Sequence, residues 1–228
     1  TLDITIHRTI LFQILKELYS DTKIAPFLGF KGGTAALLFY GLDRFSVDLD
    51  LDLLDEQKAD QVLSRVKKIV QKHGKLKESY KKRHSLFCLL SYENTAQNIK
   101  IEVNRRKFGS TYEMKTFLGV SMLVMVQADM FAHKLLAMHE RIGKTSRDIY
   151  DVRFFLSKRF PINKRIVVER SGVSFNECVL KCISQLEAMN NRKILDGVGE
   201  LLTENQKDWA RVKLRDETIS LLRLRLEA

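Results

Sequence analysis

Residues 47–53 read Val-Asp-Leu-Asp-Leu-Asp-Leu, the most informative stretch of the chain. The strict alternation predicts a half-buried β-strand that presents a row of carboxylates on one face. Asp48 and Asp50 should therefore point the same way, roughly 7 Å apart along the chain. Two like charges this close repel, and a fold tolerates them mainly when a cation lies between them; for oxygen ligands alone, that cation is Mg²⁺ or Mn²⁺. Strand twist should carry Asp52 to the rim, away from a shared metal.

Upstream of this strand, residues 31–34 read Lys-Gly-Gly-Thr, between a short apolar run at 27–30 and a helical pattern that ends at Gly41. Glycines at a strand-to-helix junction let the backbone approach a phosphate, and the free N–H groups of the first helical turn bind the anion. A glycine pair alone is weak evidence for such a site. The pair followed by a carboxylate strand is much more specific, and it favours a nucleotide site.

The remaining pattern predicts an α+β fold. Helices are expected at 6–19 and 56–72, and strands at 85–92 and 98–105 are joined by a hairpin-like link at 93–97. From Met122 onward only helices are expected, at 123–141, 146–156, 174–188 and 208–226. Strands with helices, followed by helices alone, indicate a core at residues 1–120 and a helical C-terminal domain at 121–228.

Composition narrows the setting. The 228 residues are 45% hydrophobic, enough to bury a core without disulfides. Cys88, Cys178 and Cys182 are interpreted as buried thiols in a reducing cytosol, since no histidine pair completes a zinc site. No apolar stretch approaches the roughly 20 residues that cross a bilayer, and residues 1–10 lack a signal-peptide pattern. We therefore expect a cytoplasmic protein with no membrane partner.

The net charge of +11 suggests a polyanionic partner. Residues 51–108 hold fourteen Lys and Arg against seven Asp and Glu, a net charge of +7, and the densest part runs from Lys67 to Arg83. Such a run is just as often a solvated face. Its place beside a candidate nucleotide site makes nucleic acid an equal alternative.

Taken together, residues 30–35 (Phe-Lys-Gly-Gly-Thr-Ala) and 41–50 (Gly-Leu-Asp-Arg-Phe-Ser-Val-Asp-Leu-Asp) resemble the first motif of the AbiEii/AbiGii toxin family. That family belongs to the DNA polymerase β-like nucleotidyltransferase superfamily. Residues 134–141 resemble its lysine-bearing helix, and residues 147–152 resemble its Arg-Asp-x-x-Asp segment. The resemblance covers roughly residues 25–156. It implies a polymerase β-like core, with a mixed sheet flanked by helices and a helical C-terminal domain that completes the active site.

The resemblance also implies roles for individual residues. The catalytic set is Asp48, Asp50, Lys134 and Asp148. The metal ligands are Asp48, Asp50 and Glu102, the last on the polar face of its strand, where an aspartate is more usual. The nucleotide-binding set is Lys31, Gly32, Gly33, Thr34, Arg44, Ser46 and Arg141. Two alternatives stay open: Lys134 and Arg141 on an ordinary solvated helix face, and Asp148 with Asp151 in structural ion pairs to Arg147 or Arg141.

The implied reaction is in-line attack on the α-phosphate of a nucleoside triphosphate, with release of pyrophosphate. Two metal ions would assist, the first held by Asp48 and Asp50 and the second by Asp50 and Glu102. The expected acceptor is the 3′ end of tRNA, and the expected setting is a toxin–antitoxin system of phage defence (abortive infection) with a cognate antitoxin. Rivals are an enzyme that modifies a protein or a small molecule, and a non-catalytic nucleotide- or nucleic-acid-binding module.

Overall fold

The computed structural model describes residues 3–92 and 98–226, which fall into two compact units. Within these ranges, the first unit holds the chain up to Gly41 together with residues 46–107 and 111–125. The second unit holds residues 42–45, 108–110 and 126 onward. The sequence places the boundary after residue 120, whereas the first unit continues to Met125.

The first unit is a mixed sheet with helices. Its helices in the described ranges are α1 (Ile4–Ser20), α2 (Gly32–Tyr40) and α3 (Ala59–Val70). Its strands there are β1 (Leu28–Lys31), β2 (Leu49–Leu53), β3 (Lys75–Lys81), β4 (Ser85–Ser91), β5 (Asn98–Asn104), β6 (Tyr112–Phe117) and β7 (Val120–Met125). The predicted link at 93–97 lies outside the described residues, and the strands on either side of it pair antiparallel as expected.

The seven strands form one sheet in the order β3-β4-β5-β2-β1-β7-β6. The alternation in β2 has the predicted effect, because Leu49, Leu51 and Leu53 are buried while Asp50 points to the other face. β5 lies parallel to β2 and buries Ile99, Ile101 and Val103 in the same manner. Helices α1 and α3 pack against each other and against the sheet. The polar residues of β2 and β5 are therefore left on the second face.

Several sequence-based expectations are wrong in this unit. Strand β3 lies in the basic stretch, where no strand is predicted, and it forms one edge of the sheet. The hairpin of β6 and β7 is also unpredicted, and residues 123–125 belong to β7 rather than to the first turn of a helix. The predicted strand at 47–53 begins only at Leu49.

The second unit is helical. In the described ranges it contains α4 (Gln127–Arg141), α5 (Arg147–Ser157), α6 (Lys164–Ser171), α7 (Phe175–Ala188), α8 (Glu204–Trp209) and α9 (Arg215–Leu226), with a π-helical turn at Ala210–Leu214. Helix α6 is unpredicted, and the helix predicted at 208–226 is divided by that turn. All three cysteines of the chain are buried free thiols, as predicted. None of the helices in the described ranges is long and apolar enough to span a membrane.

Candidate active site

An acidic cluster lies on the second face of the sheet in the first unit. Asp50 of β2 is the register partner of Glu102 in β5, so the two side chains share a face. Asp48 comes one residue before β2 begins. Its carboxylate and those of Asp50 and Glu102 are partly exposed, at 20%, 33% and 38% of their side-chain areas. The sequence predicts this trio, and the structure brings all three residues together.

A lysine ammonium lies among the three carboxylates. Lys100 Nζ is 3.9 Å from Asp48 Oδ2, 3.8 Å from Asp50 Oδ1 and 3.3 Å from Glu102 Oε2. Burial by itself would lower the pKa of Lys100, but the attraction of the three carboxylates outweighs it and raises the pKa above its usual value. In the described ranges, no three Asp, Glu, His or Cys side chains are arranged to hold a metal ion. Here the cation among the acids is the lysine itself.

The glycine pair brings the backbone close to the acidic cluster. Gly32 opens α2 with φ +80°, and a Cβ added there would lie 2.5 Å from Asp50 Oδ2 and 2.8 Å from Asp50 Cβ. No L-residue fits that space, and few adopt that φ. Glycine is therefore required for the first turn of α2 to pass directly beside the Asp50 carboxylate.

Two buried side chains, Thr34 and His7, position the segment that carries Asp48. Thr34 Oγ1 donates to the backbone oxygen of Asp48 at 2.5 Å and lies 3.0 Å from Ser46 Oγ. His7 Nε2 lies 2.9 Å from the carbonyl oxygen of Val47, and its Nδ1 lies 2.6 Å from the Tyr92 hydroxyl. An Nε2–H tautomer satisfies both contacts, because the ring then donates to Val47 and accepts from Tyr92. Burial, the largest effect, lowers the pKa of His7.

The third carboxylate of the alternating strand has a separate role. Asp52 accepts hydrogen bonds from Lys31 Nζ, Asn104 Nδ2 and the Tyr112 hydroxyl, each at 2.6 Å. Gly29 makes room for the last of these, since a Cβ there would lie 2.3 Å from the Tyr112 ring. Asp52 thus ties β1, β5 and β6 to β2. The prediction that it stands apart from the acidic pair agrees with these contacts.

A second charged cluster is buried in the helical unit. Asp151 lies in α5, with Arg44 Nε and Nη2 at 2.6 and 2.7 Å and Lys134 Nζ at 2.6 Å. Burial alone would raise the pKa of Asp151, but Arg44 and then Lys134 outweigh it and lower the pKa to about 2. The Arg44 side chain is 1% exposed, and its Nη1 donates to the carbonyl of Phe45. The resemblance implies a nucleotide contact for Arg44, and the structure places it in a bidentate ion pair.

Asp148 occupies the edge of this cluster. Its Oδ2 is 2.8 Å from Arg141 Nη2, although the angles do not make a hydrogen bond, and its Oδ1 is 4.0 Å from Lys134 Nζ. Burial, the largest effect, raises the pKa of Asp148. Arg141 thus pairs with Asp148, one of the alternatives left open by the sequence, whereas Arg147 reaches the carbonyl of Gly197. Lys134 is 12% exposed and is not on a solvated face.

Two contributors to these clusters, Lys100 and the Arg44–Asp151 pair, are not among the site features predicted from the sequence. Lys100 precedes Glu102 by two residues in a strand with alternating burial. The alternation that predicts the face of Glu102 is therefore also the sequence signal that places Lys100 on that face. The Arg44–Asp151 pair spans 107 residues and leaves no local pattern. His7 is also not predicted, because nothing near it in the sequence indicates that it contacts Val47, 40 residues away.

Two known structures resemble this fold. One is a Helicobacter pylori protein described as a candidate nucleotidyltransferase, 18% identical, with 100% of this chain and 97% of that one covered and a TM-score of 0.60. The other is JHP933 from Helicobacter pylori, 20% identical, with 100% and 94% covered and a TM-score of 0.54. At these identities the likeness shows the fold alone. No curated protein matches the chain.

A mixed seven-stranded sheet flanked by helices, with an acidic cluster beside a glycine-opened helix, defines the class as a nucleotidyltransferase fold. The family model described as "Nucleotidyl transferase AbiEii toxin, Type IV TA system" matches residues 13–218, and the chain belongs to that family. It is therefore a nucleotidyltransferase of a type IV toxin–antitoxin family. Membership implies a nucleoside triphosphate substrate, use of a divalent metal and an antitoxin partner.

The close approach of Gly32 to Asp50 gives a test with an internal control. Gly41 also has a positive φ, of +74°, but a Cβ there would meet nothing within 4 Å. Gly32→Ala and Gly41→Ala should each lose about 1–2 kcal/mol of stability through the left-handed backbone. Only Gly32→Ala should also displace the Asp50 carboxylate, and so reduce nucleotidyl transfer per folded molecule. Urea unfolding and initial rates separate the effects; equal rates in the two variants would contradict the assignment.

Asp151→Asn should cost roughly 3–5 kcal/mol at neutral pH, because it leaves Arg44 and Lys134 buried without their anion. The folded-state pKa of about 2 lies below the ordinary 3.8, so the contribution is complete above pH 4 and is lost as the pH falls toward 2. The stability gap between wild type and variant should therefore narrow over that interval. Asp208→Asn, which removes an exposed partner of Arg211, should show a small gap. A gap at Asp151 that stays constant with pH would refute this account.

Proposed function

We propose that the protein transfers a nucleoside monophosphate from a triphosphate to the 3′ end of tRNA, in a reaction that requires Mg²⁺ or Mn²⁺. One observation carries the proposal: Asp48, Asp50 and Glu102 surround a single cation, the Lys100 ammonium, on one face of the sheet. A cluster of three carboxylates around one position is a costly arrangement unless a positive charge is bound there. A carboxylate cluster that binds a cation is what a metal-assisted nucleotidyl transfer, the reaction of the family, requires.

The donor set fits a hard divalent cation. All three ligands are carboxylates, and the lysine ammonium stands in for the ion at 3.3–3.9 Å. Magnesium takes oxygen ligands, and these three carboxylates would supply them in place of the Lys100 ammonium. Asp48, Asp50 and Glu102 would hold the metal, which when bound supplies charge stabilisation to the attacking and leaving oxygens.

The residues around the carboxylates would hold the triphosphate. Gly32 and Gly33 present backbone N–H groups at the start of α2, where the helix dipole favours an anion. Thr34 and Ser46 are predicted to contact the nucleotide, but both are buried. Thr34 would contribute by fixing the backbone of Asp48, to whose oxygen it donates, and Ser46 would act through Thr34, 3.0 Å away. Lys31 would act similarly through Asp52.

A direct role for the helical unit is part of the same proposal. Lys134 would offset the charge that develops on the leaving pyrophosphate, the kind of contact that preorganised cations make in transition states. To do so it must share its ammonium with Asp151, 2.6 Å away. Arg141 is 48% exposed and is the better placed of the two cations to meet a phosphate. Asp148, beside both, would orient them.

The charge distribution supports an RNA acceptor. Lys75, Lys77, Lys82 and Arg83 are exposed on or just after β3, the edge strand. Cations at both ends of one edge strand suit the phosphates of a polynucleotide better than a small acceptor. A nucleotide added to the 3′ end of tRNA would block aminoacylation, which would explain toxicity in the cytoplasm and a role in phage defence.

Transfer can be tested with each α-labelled triphosphate in turn, total RNA and Mg²⁺. We expect label in tRNA, and none in tRNA whose 3′ ribose has been oxidised with periodate. Asp48→Asn and Asp50→Asn should each reduce the rate by at least about 10²–10³-fold with the fold intact. Glu113→Gln, an acid in the same unit paired with Lys115, is the control. Full activity in either aspartate variant, or label in oxidised tRNA, would overturn the proposal.

Lys100 gives an independent test of the metal site. If its ammonium competes with the ion, Lys100→Met should lower the melting temperature in EDTA, because three carboxylates are left to repel one another. Mn²⁺ should bind the variant roughly 5- to 30-fold tighter than wild type, since three partly exposed ion contacts are worth about 1–2 kcal/mol together. Calorimetric titration measures this without turnover. Lys115→Met, which breaks the exposed pair with Glu113, should change neither quantity much.

If Mn²⁺ binds wild type and Lys100→Met equally well, the lysine and the metal do not share a position. If it binds the variant more weakly, Lys100 supports the metal site instead of competing for it. Either result removes the argument that the ammonium stands in for the ion.

A further inference from the structure

Two aromatic rings stack across the outer strands of the sheet. Tyr80 of β3 and Phe87 of β4 are register partners, with ring centroids 4.6 Å apart and planes inclined by only 5°. Other ring pairs in residues 3–92 and 98–226 are inclined by 40° or more, as Phe131 and Phe155 are at 40° and Phe154 and Phe155 at 79°. A parallel pair on a sheet is therefore a distinct local feature, and its surroundings show what it could bind.

The ring pair lies in the same row as the acidic cluster. Tyr80 is opposite Phe87, Phe87 is opposite Glu102, and Glu102 is opposite Asp50. Directly opposite residues point to one face, so the rings and the carboxylates share a surface. With strands about 4.8 Å apart, Phe87 lies one strand from Glu102 and roughly 10 Å from Asp50.

The pair is not part of the hydrophobic core. Core residues of β4 are the alternate ones, Leu86, Cys88 and Leu90, which are buried on the opposite face. Tyr80 and Phe87 are both half-buried and retain accessible surface. A cross-strand aromatic pair contributes only about 0.2–1 kcal/mol to a sheet. Stability alone is thus a weak reason to keep two rings on this face.

Positive charge adjoins the rings. Lys82 Nζ lies 4.3 Å from the centroid of the Tyr80 ring, and Arg83 follows it in the exposed turn between β3 and β4. Lys81, by contrast, is engaged with Asp60 at 2.8 Å. Proteins bind single-stranded nucleic acid by stacking its bases on aromatic side chains and by placing cations along its phosphate backbone. Tyr80, Phe87 and the adjacent cations combine both features.

We propose that Tyr80 and Phe87 form a stacking platform for an unpaired base of the RNA acceptor, with Lys82 and Arg83 contacting its phosphates. This proposal rests on the proposed function and specifies how the acceptor is held. The occupant is the acceptor rather than the base of the triphosphate, because exposed cations lie at both ends of the outermost strand, a span that suits a chain of phosphates. These cations are Lys75 and Lys77 at one end and Lys82 and Arg83 at the other. The platform binds a base by its π-face and so tolerates any sequence.

The test is binding of a fluorescent, unstructured single-stranded RNA, followed by anisotropy in EDTA without triphosphate. Tyr80→Leu and Phe87→Leu should each weaken binding about tenfold, within the roughly 5- to 150-fold range expected for losing one stacked base. Tyr80→Phe keeps the ring and should bind like wild type. Phe27→Leu is the matched control, since Phe27 is also half-buried with a lysine, Lys58, 5.4 Å from its centroid, but lies outside the row.

An RNA with abasic positions separates stacking from charge. Wild type should bind it about tenfold more weakly than the normal RNA, and the leucine variants should show no further loss. Lys82→Gln should instead reduce the slope of log affinity against log salt by about 0.7, the value for one phosphate of a single strand.

Three results would overturn the platform. RNA affinities of Tyr80→Leu and Phe87→Leu equal to that of Phe27→Leu would make the rings a structural pair. Weakened binding of a mononucleotide, with RNA affinity unchanged, would assign the rings to the donor base. An acceptor that proves to be a protein, with no RNA bound by wild type, would end this proposal while nucleotidyl transfer stands. Conversely, RNA binding that depends on the rings, with no transfer to RNA, would remove the proposed function alone.

Discussion

Repulsion among Asp48, Asp50 and Glu102 is the constraint on which the rest of the first unit depends. Three carboxylates on neighbouring strands raise the energy of the fold unless a cation is present. Lys100, on the same strand as Glu102, supplies one at 3.3–3.9 Å. The chain can therefore fold with the site already assembled, and the same electrostatics leave the site ready for a stronger cation. If the proposed metal site is correct, Lys100 would stabilise the three carboxylates when no metal is bound and would compete with the metal for the same position.

In the helical unit a buried carboxylate, that of Asp151, is also neutralised by cations. Asp151 is completely buried, and two cations share its two oxygens. A buried pair gains little over apolar packing, but losing one partner is expensive, so the cluster acts mainly as a constraint on geometry. Arg44 is fixed by it in bidentate form, and Lys134 is held with little exposure. Any part that Lys134 plays in transfer must therefore be compatible with its bond to Asp151.

The sequence predicts those parts of the fold that carry a period. Alternation identifies β2 and β5 and places Asp50 and Glu102 on one face, and the glycine pair marks the start of α2. It fails where the period is absent. In β3 no residue is fully buried and four of the seven are exposed, so the strand lacks a regular alternation. The apolar run of β7 continues almost directly into α4 and therefore resembles part of a helix. Gly119 is the local sequence signal for the β6–β7 hairpin, because the two residues of its turn, Leu118 and Gly119, both have positive φ.

The first motif contains two kinds of residue: those that could act on the substrate, and those that fix the positions of the first kind. Asp48 and Asp50 remain partly exposed, whereas Thr34 and Ser46 are buried. Thr34 donates to the backbone oxygen of Asp48, and Ser46 is in contact with Thr34. A motif defines a spacing of residue types, and a hydroxyl at a given spacing can serve a phosphate or a carbonyl equally well. Sequence alone cannot separate these uses, because the difference lies in burial. A buried residue such as Thr34 fixes the position of Asp48, so replacing Thr34 should lower both stability and turnover. Replacing a partly exposed carboxylate such as Asp50 should lower turnover alone.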